Sequence, residues 1–252
     1  MKLSHFSLKE YLLSERVEKD FKITGDTAHV KISEISVAYL LQFDKFTPLT
    51  EAILQSSPLA QYAAEHWVDH ATFKRKDYGT FNGIDPGPLK LILQLFTPES
   101  IAFTNWTQIN NIHGRNWDFS RAPVCLPLYY ASLGGLKQVI THLLENGADV
   151  NAQGGQYGNA LQAASLRGFG EIVELLIDKG AKVDAQGGEY GNALQAASLN
   201  GDEAIVKLLI KKGGHIFAQD DMTKALKAAS THGHRRIVRL LEEAGADNEQ
   251  AG

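Results

Sequence analysis

The sequence predicts an all-α protein in which stacked helical repeats follow a non-repeating helical segment. The main observation is an internal duplication, because 15 of 18 positions are identical between residues 151–168, NAQGGQYGNALQAASLRG, and residues 184–201, DAQGGEYGNALQAASLNG. The same 33-residue phase continues upstream over residues 127–152 and, with one residue deleted, downstream over residues 226–247. A fixed period of this size is typical of architectures in which each unit buries its apolar face against its neighbours.

The period and three short motifs resemble the ankyrin repeat. Its T-P-L-H-x-A-A core appears here as N-A-L-Q-A-A, and it is followed by Ile-Val-x-Leu-Leu and by Gly-Ala-Asp-Val-Asn or close variants. The resemblance implies an ankyrin-repeat solenoid of about four repeats over residues 121–252. It also implies a non-enzymatic module that binds a protein partner on the concave surface formed by turns and helix ends.

Within one repeat, residues 159–191, each segment has a predicted role. Asn159 is expected to cap a first helix with the sequence Ala-Leu-Gln-Ala-Ala-Ser-Leu, whose small side chains allow neighbouring helices to approach closely. Gly168 ends that helix, and apolar spacing predicts a second helix over residues 170–179. Gly180 ends the second helix, and the Gly-rich connector after it predicts a turn. The last helix of the chain, predicted over residues 235–244, is polar and suits a cap that faces water.

Residues 1–120 lack the 33-residue phase and are predicted to form a helical capping array over the open end of the repeats. A capping box from Ser7 to Glu10 predicts a helix over residues 8–18. Apolar spacing predicts a helix over residues 30–43, and prolines at the start of further helical stretches predict helices near residue 48 and over residues 58–74, 88–96 and 98–109. Residues 75–87 are predicted to be a loop.

Four stretches of this array resemble the region after the nucleotide-binding domain in fungal NACHT–ankyrin proteins, the intracellular receptor-like ATPases. They are HFSLKEYLLSERV, SVAYLLQF, PLAQYAAEHWVDHA and FTNW. The resemblance implies the sensor end of such a receptor. The phosphate-binding motif G-x-x-x-x-G-K-[ST] does not occur in the sequence, so the nucleotide chemistry of the longer proteins is not carried over.

Composition excludes several classes of function. The net charge is −4, with 12 basic and 14 acidic residues in 1–120 and 13 and 15 in 121–252, so no basic domain is available for nucleic acid. No apolar run is long enough for a membrane helix. The lone Cys125 fits a reducing compartment and is expected to be a small core residue. We therefore expect a protein partner, no cofactor, and a cytoplasmic or nuclear location; the oligomeric state stays open.

Carried over position by position, the ankyrin pattern assigns partner binding to turn tips and helix ends. Two matching turns carry tyrosines, which either act as exposed anchors or pack half-buried against the next turn; the sequence favours neither. The Gly-rich sequences of these turns could also suggest a phosphate loop, but no parallel strand precedes them. The predicted partner-binding residues are Gln156, Tyr157, Leu166, Arg167, Glu189, Tyr190, Leu199, Asn200, Thr231 and His232.

An enzyme is the alternative, with a metal-dependent hydrolase site in the N-terminal array or at its junction with the repeats. His66 and His70 lie at positions i and i+4 of a predicted helix, and Asp69 and His113 complete the available residues. The simpler interpretation is a helix with two partly exposed histidines beside a core tryptophan. No nucleophile, base and orienting group can be assembled, so no catalytic or metal-binding residue is predicted.

The last repeat is locally basic, which usually indicates a solvated face; an acidic peptide partner is the other interpretation. Asp220 and Asp221 are expected in the shortened final turn, where solvation accounts for them. The basic residues are Lys224, Lys227, His232, His234, Arg235, Arg236 and Arg239.

Overall fold

The computed structural model describes residues 25–45, 49–73, 83–97, 99–110, 126–213 and 217–250. Within these ranges every regular element is a helix, so the all-α prediction is confirmed. Contacts divide the chain into two units, Met1–Cys125 and Leu126–Gly252. The helix predicted over residues 8–18, most of the loop predicted over residues 75–87, His113 and Cys125 lie outside the described residues. In the described part of the chain, no helix combines the length and apolar composition that a membrane crossing requires.

The first unit, in its described part, is built from five α-helices and a short 3₁₀ helix. The long first helix packs along the third and fourth helices, and the fifth helix packs on the third helix and on the 3₁₀ helix. The predicted helices are present with shifted ends. The elements are α1 (Gly25–Leu41), the 3₁₀ helix Gln42–Lys45, α2 (Glu51–Gln55), α3 (Ala60–Ala71), α4 (Pro86–Leu95) and α5 (Ile101–Asn110).

Four aromatic side chains form the centre of this unit. Trp67, Phe96, Phe103 and Trp106 are buried, and their ring centroids lie 4.9–6.1 Å apart, mostly edge to face. This is the arrangement that aromatic quadrupoles favour. The indole Nε1 of Trp106 donates to the carbonyl of Ala64 at 3.0 Å, whereas Nε1 of Trp67 has no hydrogen-bond partner among the described residues.

The second unit contains four helix pairs, which we call repeats 1 to 4. The first helices of the pairs pack side by side in one row, and the second helices of repeats 2 to 4 form another row. The last helix is longer than its predicted range of residues 235–244. The pairs are α6 (Pro127–Leu133) with α7 (Lys137–Glu145), α8 (Ala160–Leu166) with α9 (Gly170–Asp178), α10 (Ala193–Asn200) with α11 (Glu203–Gly213), and α12 (Gln219–Thr231) with α13 (Arg235–Gln250).

Small side chains and asparagine caps shape the first helix of each central repeat. Ala163 and Ala164 of α8 are completely buried, so the neighbouring helices approach its backbone closely. Asn159 accepts a hydrogen bond from the backbone N–H of Gln162 at 2.9 Å, which confirms the predicted cap. Gly168 follows in a left-handed conformation (φ +74°), which permits the sharp reversal into α9.

The connection into repeat 4 differs from the others, and here one expectation was wrong. Asp221 lies in the first turn of α12 and is buried; its carboxylate accepts hydrogen bonds from the side-chain amides of Gln186 (3.1 and 3.2 Å) and Gln195 (3.2 Å). Asp220 pairs with Lys224 at 2.5 Å. Where the sequence suggested a solvated turn, α12 begins early. Asp221 contacts repeat 3, whereas Asp220 stays exposed, and both carboxylates lie at the positive end of the α12 dipole.

Candidate functional site

Two matching Gly-rich turns pack against each other between the repeats. Turn 2 is residues 154–158 and turn 3 is residues 187–191; each is closed by a hydrogen bond from its first N–H to its last carbonyl, at 2.6 Å and 2.7 Å. Gly188 has a φ of +65°, and a Cβ there would lie 2.2 Å from the carbonyl carbon of Tyr157. Only glycine permits this backbone-to-backbone approach, so the two turns form one rigid element.

The predicted turn residues meet across this contact. The rings of Tyr157 and Tyr190 stack with centroids 5.6 Å apart and an interplanar angle of 15°. The backbone N–H of Glu189 donates to the carbonyl of Gln156 at 2.9 Å, and the side-chain amide of Gln156 donates to the Glu189 carboxylate at 2.7 Å. Tyr157 therefore packs against the next turn and is half-buried, which is one of the two interpretations that the sequence left open.

Tyr129, on the first helix of repeat 1, contacts turn 2, and no pattern in the sequence indicated this contact. Its phenol oxygen accepts a hydrogen bond from the backbone N–H of Tyr157 at 3.2 Å. Burial raises the pKa of Tyr129 to about 12, with a smaller upward contribution from Tyr130 and Tyr157. The ring also fills the space beside Gly155, where a Cβ would lie 2.5 Å from it.

Gln162 makes the corresponding contacts with turn 3. Its side-chain nitrogen lies 2.6 Å from the carbonyl of Gly191, 3.1 Å from that of Gly187 and 3.2 Å from that of Ala185. The amide thus ties α8 of repeat 2 to the turn that follows it. The signal in the sequence is the N-A-L-Q-A-A motif, whose glutamine takes the place of the ankyrin histidine.

Beyond turn 3, where the described residues contain no fourth turn, an open groove of about 640 Å³ lies between turn 3, α10 and α12. The groove is lined mostly by carbon, with Leu199 and Ala228 among its walls, and the last repeat contributes Lys224 and Lys227. Five of the ten predicted binding residues line it: Glu189, Tyr190, Leu199, Thr231 and His232.

Most of the polar groups in the groove already have partners. Lys224 pairs with Asp220, and this hydrogen bond raises the pKa of Lys224. His232 contacts the carbonyl of Ala228 through Nδ1 at 3.0 Å. Partial burial, with smaller contributions from the neighbouring carboxylate and ring, raises the pKa of Tyr190.

The other predicted binding residues lie away from the groove. Arg167 is exposed at the C-terminal end of α8, with its guanidinium 6.0 Å from the ring centroid of Phe169. Leu166 beside it is half-buried, and Asn200 is exposed at the end of α10. The predicted residues therefore form a turn-and-groove group and a group at the helix ends.

The histidines considered for an enzyme lie on α3. His66 is half-exposed, with Nε2 3.8 Å from a Glu65 carboxylate oxygen, and Asp69 is exposed. His70 contacts the Tyr62 hydroxyl at 3.2 Å and Nδ1 of His29 at 2.7 Å, a neighbour 41 positions away that the sequence did not indicate. Among the described residues, no three histidine, cysteine or acidic side chains are grouped so that they could hold a metal ion.

Comparison with known proteins identifies the repeated part. The family model described as ankyrin repeats (3 copies) matches residues 160–251, and the single ankyrin-repeat model matches residues 125–155. A curated relative, "Azaphilone pigments biosynthesis cluster protein L" of Monascus ruber, is 36% identical over an alignment of 184 positions, and the match covers 64% of this chain and 37% of that protein. Because Leu126–Gly252 is only half of the chain, this similarity extends into Met1–Cys125. The chain thus contains ankyrin repeats, and Leu126–Gly252 folds as an ankyrin solenoid.

Proposed function

We propose that this chain is a non-enzymatic recognition module that binds a protein partner through the turns, the groove and the helix ends of its ankyrin repeats. Ankyrin repeats are protein-interaction modules whose stacked units form an extended concave surface. The observation that carries the proposal is the interlocked pair of turns 2 and 3, which presents Gln156, Tyr157, Glu189 and Tyr190 as one surface beside the groove.

Rigidity is what makes these turns suitable for binding. Backbone hydrogen bonds close each turn, Gln162 ties turn 3 to repeat 2, and Tyr129 ties turn 2 to repeat 1. A surface ordered before binding loses little conformational entropy when the partner docks, so more of the contact energy appears as affinity. Aromatic and arginine side chains on such a surface are the usual hot spots, which favours Tyr157, Tyr190 and Arg167.

An enzyme in the N-terminal array is the weaker candidate. His70 contacts His29 and Tyr62, and the half-exposed His66 and the exposed Asp69 belong to no metal-ligand cluster among the described residues. The name of the fungal relative associates that protein with a pigment biosynthesis cluster and states no reaction. The chain spans 37% of the length of that relative, so its activity is not carried over.

The proposal includes the relation to fungal NACHT–ankyrin proteins, in which this chain corresponds to the sensor end. Two observations favour it: the N-terminal stretches that resemble those receptors, and a fungal relative whose similarity extends beyond the repeats. We place its action in the cytoplasm or the nucleus, with a protein as partner and neither nucleic acid nor membrane. The chain lacks the phosphate-binding motif, so nucleotide hydrolysis forms no part of the proposal.

The test is partner capture from an extract of the source organism with the 252-residue chain as bait. Replacing Tyr157, Arg167 and Tyr190 together by Ala should abolish capture, because truncating one hot-spot residue costs on the order of 2 kcal/mol. The unfolding temperature should change little, since these side chains are exposed or half-exposed. Changing His66 and His70 to Ala is the matched control and should leave capture intact. Loss of capture in the histidine variant, with zinc copurifying with the wild type, would replace recognition by the enzyme alternative.

A further inference from the structure

At one position of the repeat, the side chain in repeat 4 differs from those in the other three repeats in what it contacts. In repeats 1 to 3 its side chain contacts the element that follows: Tyr129 accepts from turn 2, Gln162 donates to turn 3, and Gln195 donates to Asp221 of α12. In repeat 4 the position holds Lys227, which is exposed and lines the groove. Its ammonium has no ion pair or hydrogen bond within the described residues.

The stack of turns also ends at this groove. The ring of Tyr190 covers the ring of Tyr157. Among the described residues no fourth turn covers Tyr190, because α12 begins at that position, and Tyr190 therefore lines the groove. The lining of the groove therefore includes an aromatic ring, a cation that is unpaired among the described residues, and the apolar side chains of Leu199 and Ala228.

We propose that this groove binds a segment of a partner protein in which an aromatic residue is adjacent to an aspartate or glutamate. The aromatic ring continues the stack on Tyr190, and the carboxylate pairs with Lys227. A singly charged carboxylate suits the site better than a dianionic phosphate, because Glu189 also lines the groove and repels added negative charge. The inference rests on the proposed function and specifies the partner chemistry at one end of the surface.

The chain itself supplies the matched probes. Turn 3 has the sequence Gly-Gly-Glu-Tyr-Gly and seats its tyrosine on Tyr157, which is the contact proposed for the groove. Turn 2 has the sequence Gly-Gly-Gln-Tyr-Gly, which differs only in lacking the charge. The acetylated, amidated pentapeptides of these two sequences therefore isolate the contribution of the carboxylate.

Each peptide is titrated into the ¹⁵N-labelled 252-residue chain, up to millimolar concentration, and amide shifts are recorded. The shifts should centre on Gly188, Gly191 and Ala228, and the Glu peptide should bind about threefold more tightly than the Gln peptide, as expected for one exposed ion pair. Lys227→Gln should remove that difference, whereas Lys182→Gln, an exposed lysine outside the groove, should preserve it. Tyr190→Leu should weaken both peptides roughly threefold to tenfold.

Three outcomes would overturn the inference: no shift with either peptide, equal affinities for the two, or shifts confined to other surfaces. Concentration-dependent self-association of the wild-type chain that Lys227→Glu abolishes would make a second copy the occupant, and would also overturn it. The proposed function is tested separately by the triple variant at Tyr157, Arg167 and Tyr190. If that variant loses partner capture while Lys227→Glu and the peptides have no effect, only the groove inference is wrong.

Discussion

In Met1–Cys125 the buried centre is a cluster of large rings, Trp67, Phe96, Phe103 and Trp106, each in contact with others of the cluster. In Leu126–Gly252 the first helices instead bury alanine and serine, and polar side chains such as Gln162 tie each repeat to the next. The first unit therefore concentrates its stability in a few residues. The second spreads its stability over similar contacts between neighbours, as solenoids do, so a single substitution acts mainly on one boundary.

The largest expected effect concerns the aromatic cluster on which the stability of the first unit depends. Trp67→Ala should lower the free energy of unfolding by about 3–5 kcal/mol, because the indole is fully buried and the cavity would not collapse completely. Trp67→Phe keeps an aromatic ring and removes an N–H that has no described partner, so it should cost clearly less. Denaturant unfolding of the whole chain measures both. Equal losses for the two variants would show that the cluster is not the centre of stability.

Trp106→Phe extends the same comparison. It removes the hydrogen bond from the indole to the carbonyl of Ala64, so it should destabilise the unit more than Trp67→Phe does, by on the order of 1 kcal/mol.

The second prediction concerns the boundary between repeats 2 and 3. Gly188→Ala should cost roughly 2–4 kcal/mol, because it combines a left-handed φ with a Cβ that meets the backbone of Tyr157. Gly180→Ala is the matched control. Its φ is +91°, but apart from the adjacent residues of the chain no described atom lies within 4 Å of the added Cβ, so only the conformational cost of about 1–2 kcal/mol remains. Thermal unfolding of the two variants compares these costs, and similar values would mean that the turns do not pack as closely as described.

The smallest effect depends on pH. The ordinary pKa of tyrosine is 10.0, and that of Tyr129 in the folded chain is about 12. Between these values the unfolded chain loses a proton that the folded chain retains, so the free energy of unfolding falls as pH rises from about 10 to about 12. Tyr129→Phe should make the free energy of unfolding fall less steeply over this range of pH.

At neutral pH the same variant should cost about 1 kcal/mol, because the N–H of Tyr157 loses its acceptor. Chemical unfolding at pH 7, 10 and 11.5 tests both parts. An unchanged alkaline slope would contradict the burial of the phenol.

The sequence was sufficient for the features that repeat. A 33-residue period and asparagine caps predict the helices, the turns and the cap at Asn159, because these depend on local patterns. The sequence was insufficient where the contact partner of a residue depends on the structure of a segment elsewhere in the chain. Asp221 was expected in a solvated turn and lies buried in the first turn of α12, and His29 contacts His70 across 41 positions with no periodic signal.

The proposed binding residues come from the family pattern, and their role in binding stays a prediction. That pattern indicated the turn positions but not the side chains that hold the turns, since Tyr129 and Gln162 do not resemble each other. These two residues are recognised as equivalent only when the four repeats are aligned and the turn that each side chain contacts is known.

The near-identity of repeats 2 and 3 has a consequence for folding. Neighbouring segments so alike can dock in the wrong order, a known failure of repeat proteins. Their flanks are not alike: among the described residues, turn 2 contacts the phenol of Tyr129, whereas Gln186 and Gln195 donate to the carboxylate of Asp221. The residues that make these contacts are the same in both repeats, because Tyr157 matches Tyr190, and Gln153 and Gln162 match Gln186 and Gln195. An exchanged order would therefore offer the same groups to the phenol and to the buried carboxylate. The order of repeats 2 and 3 is thus set by the covalent connection of the chain and not by the contacts at the two ends of the stack.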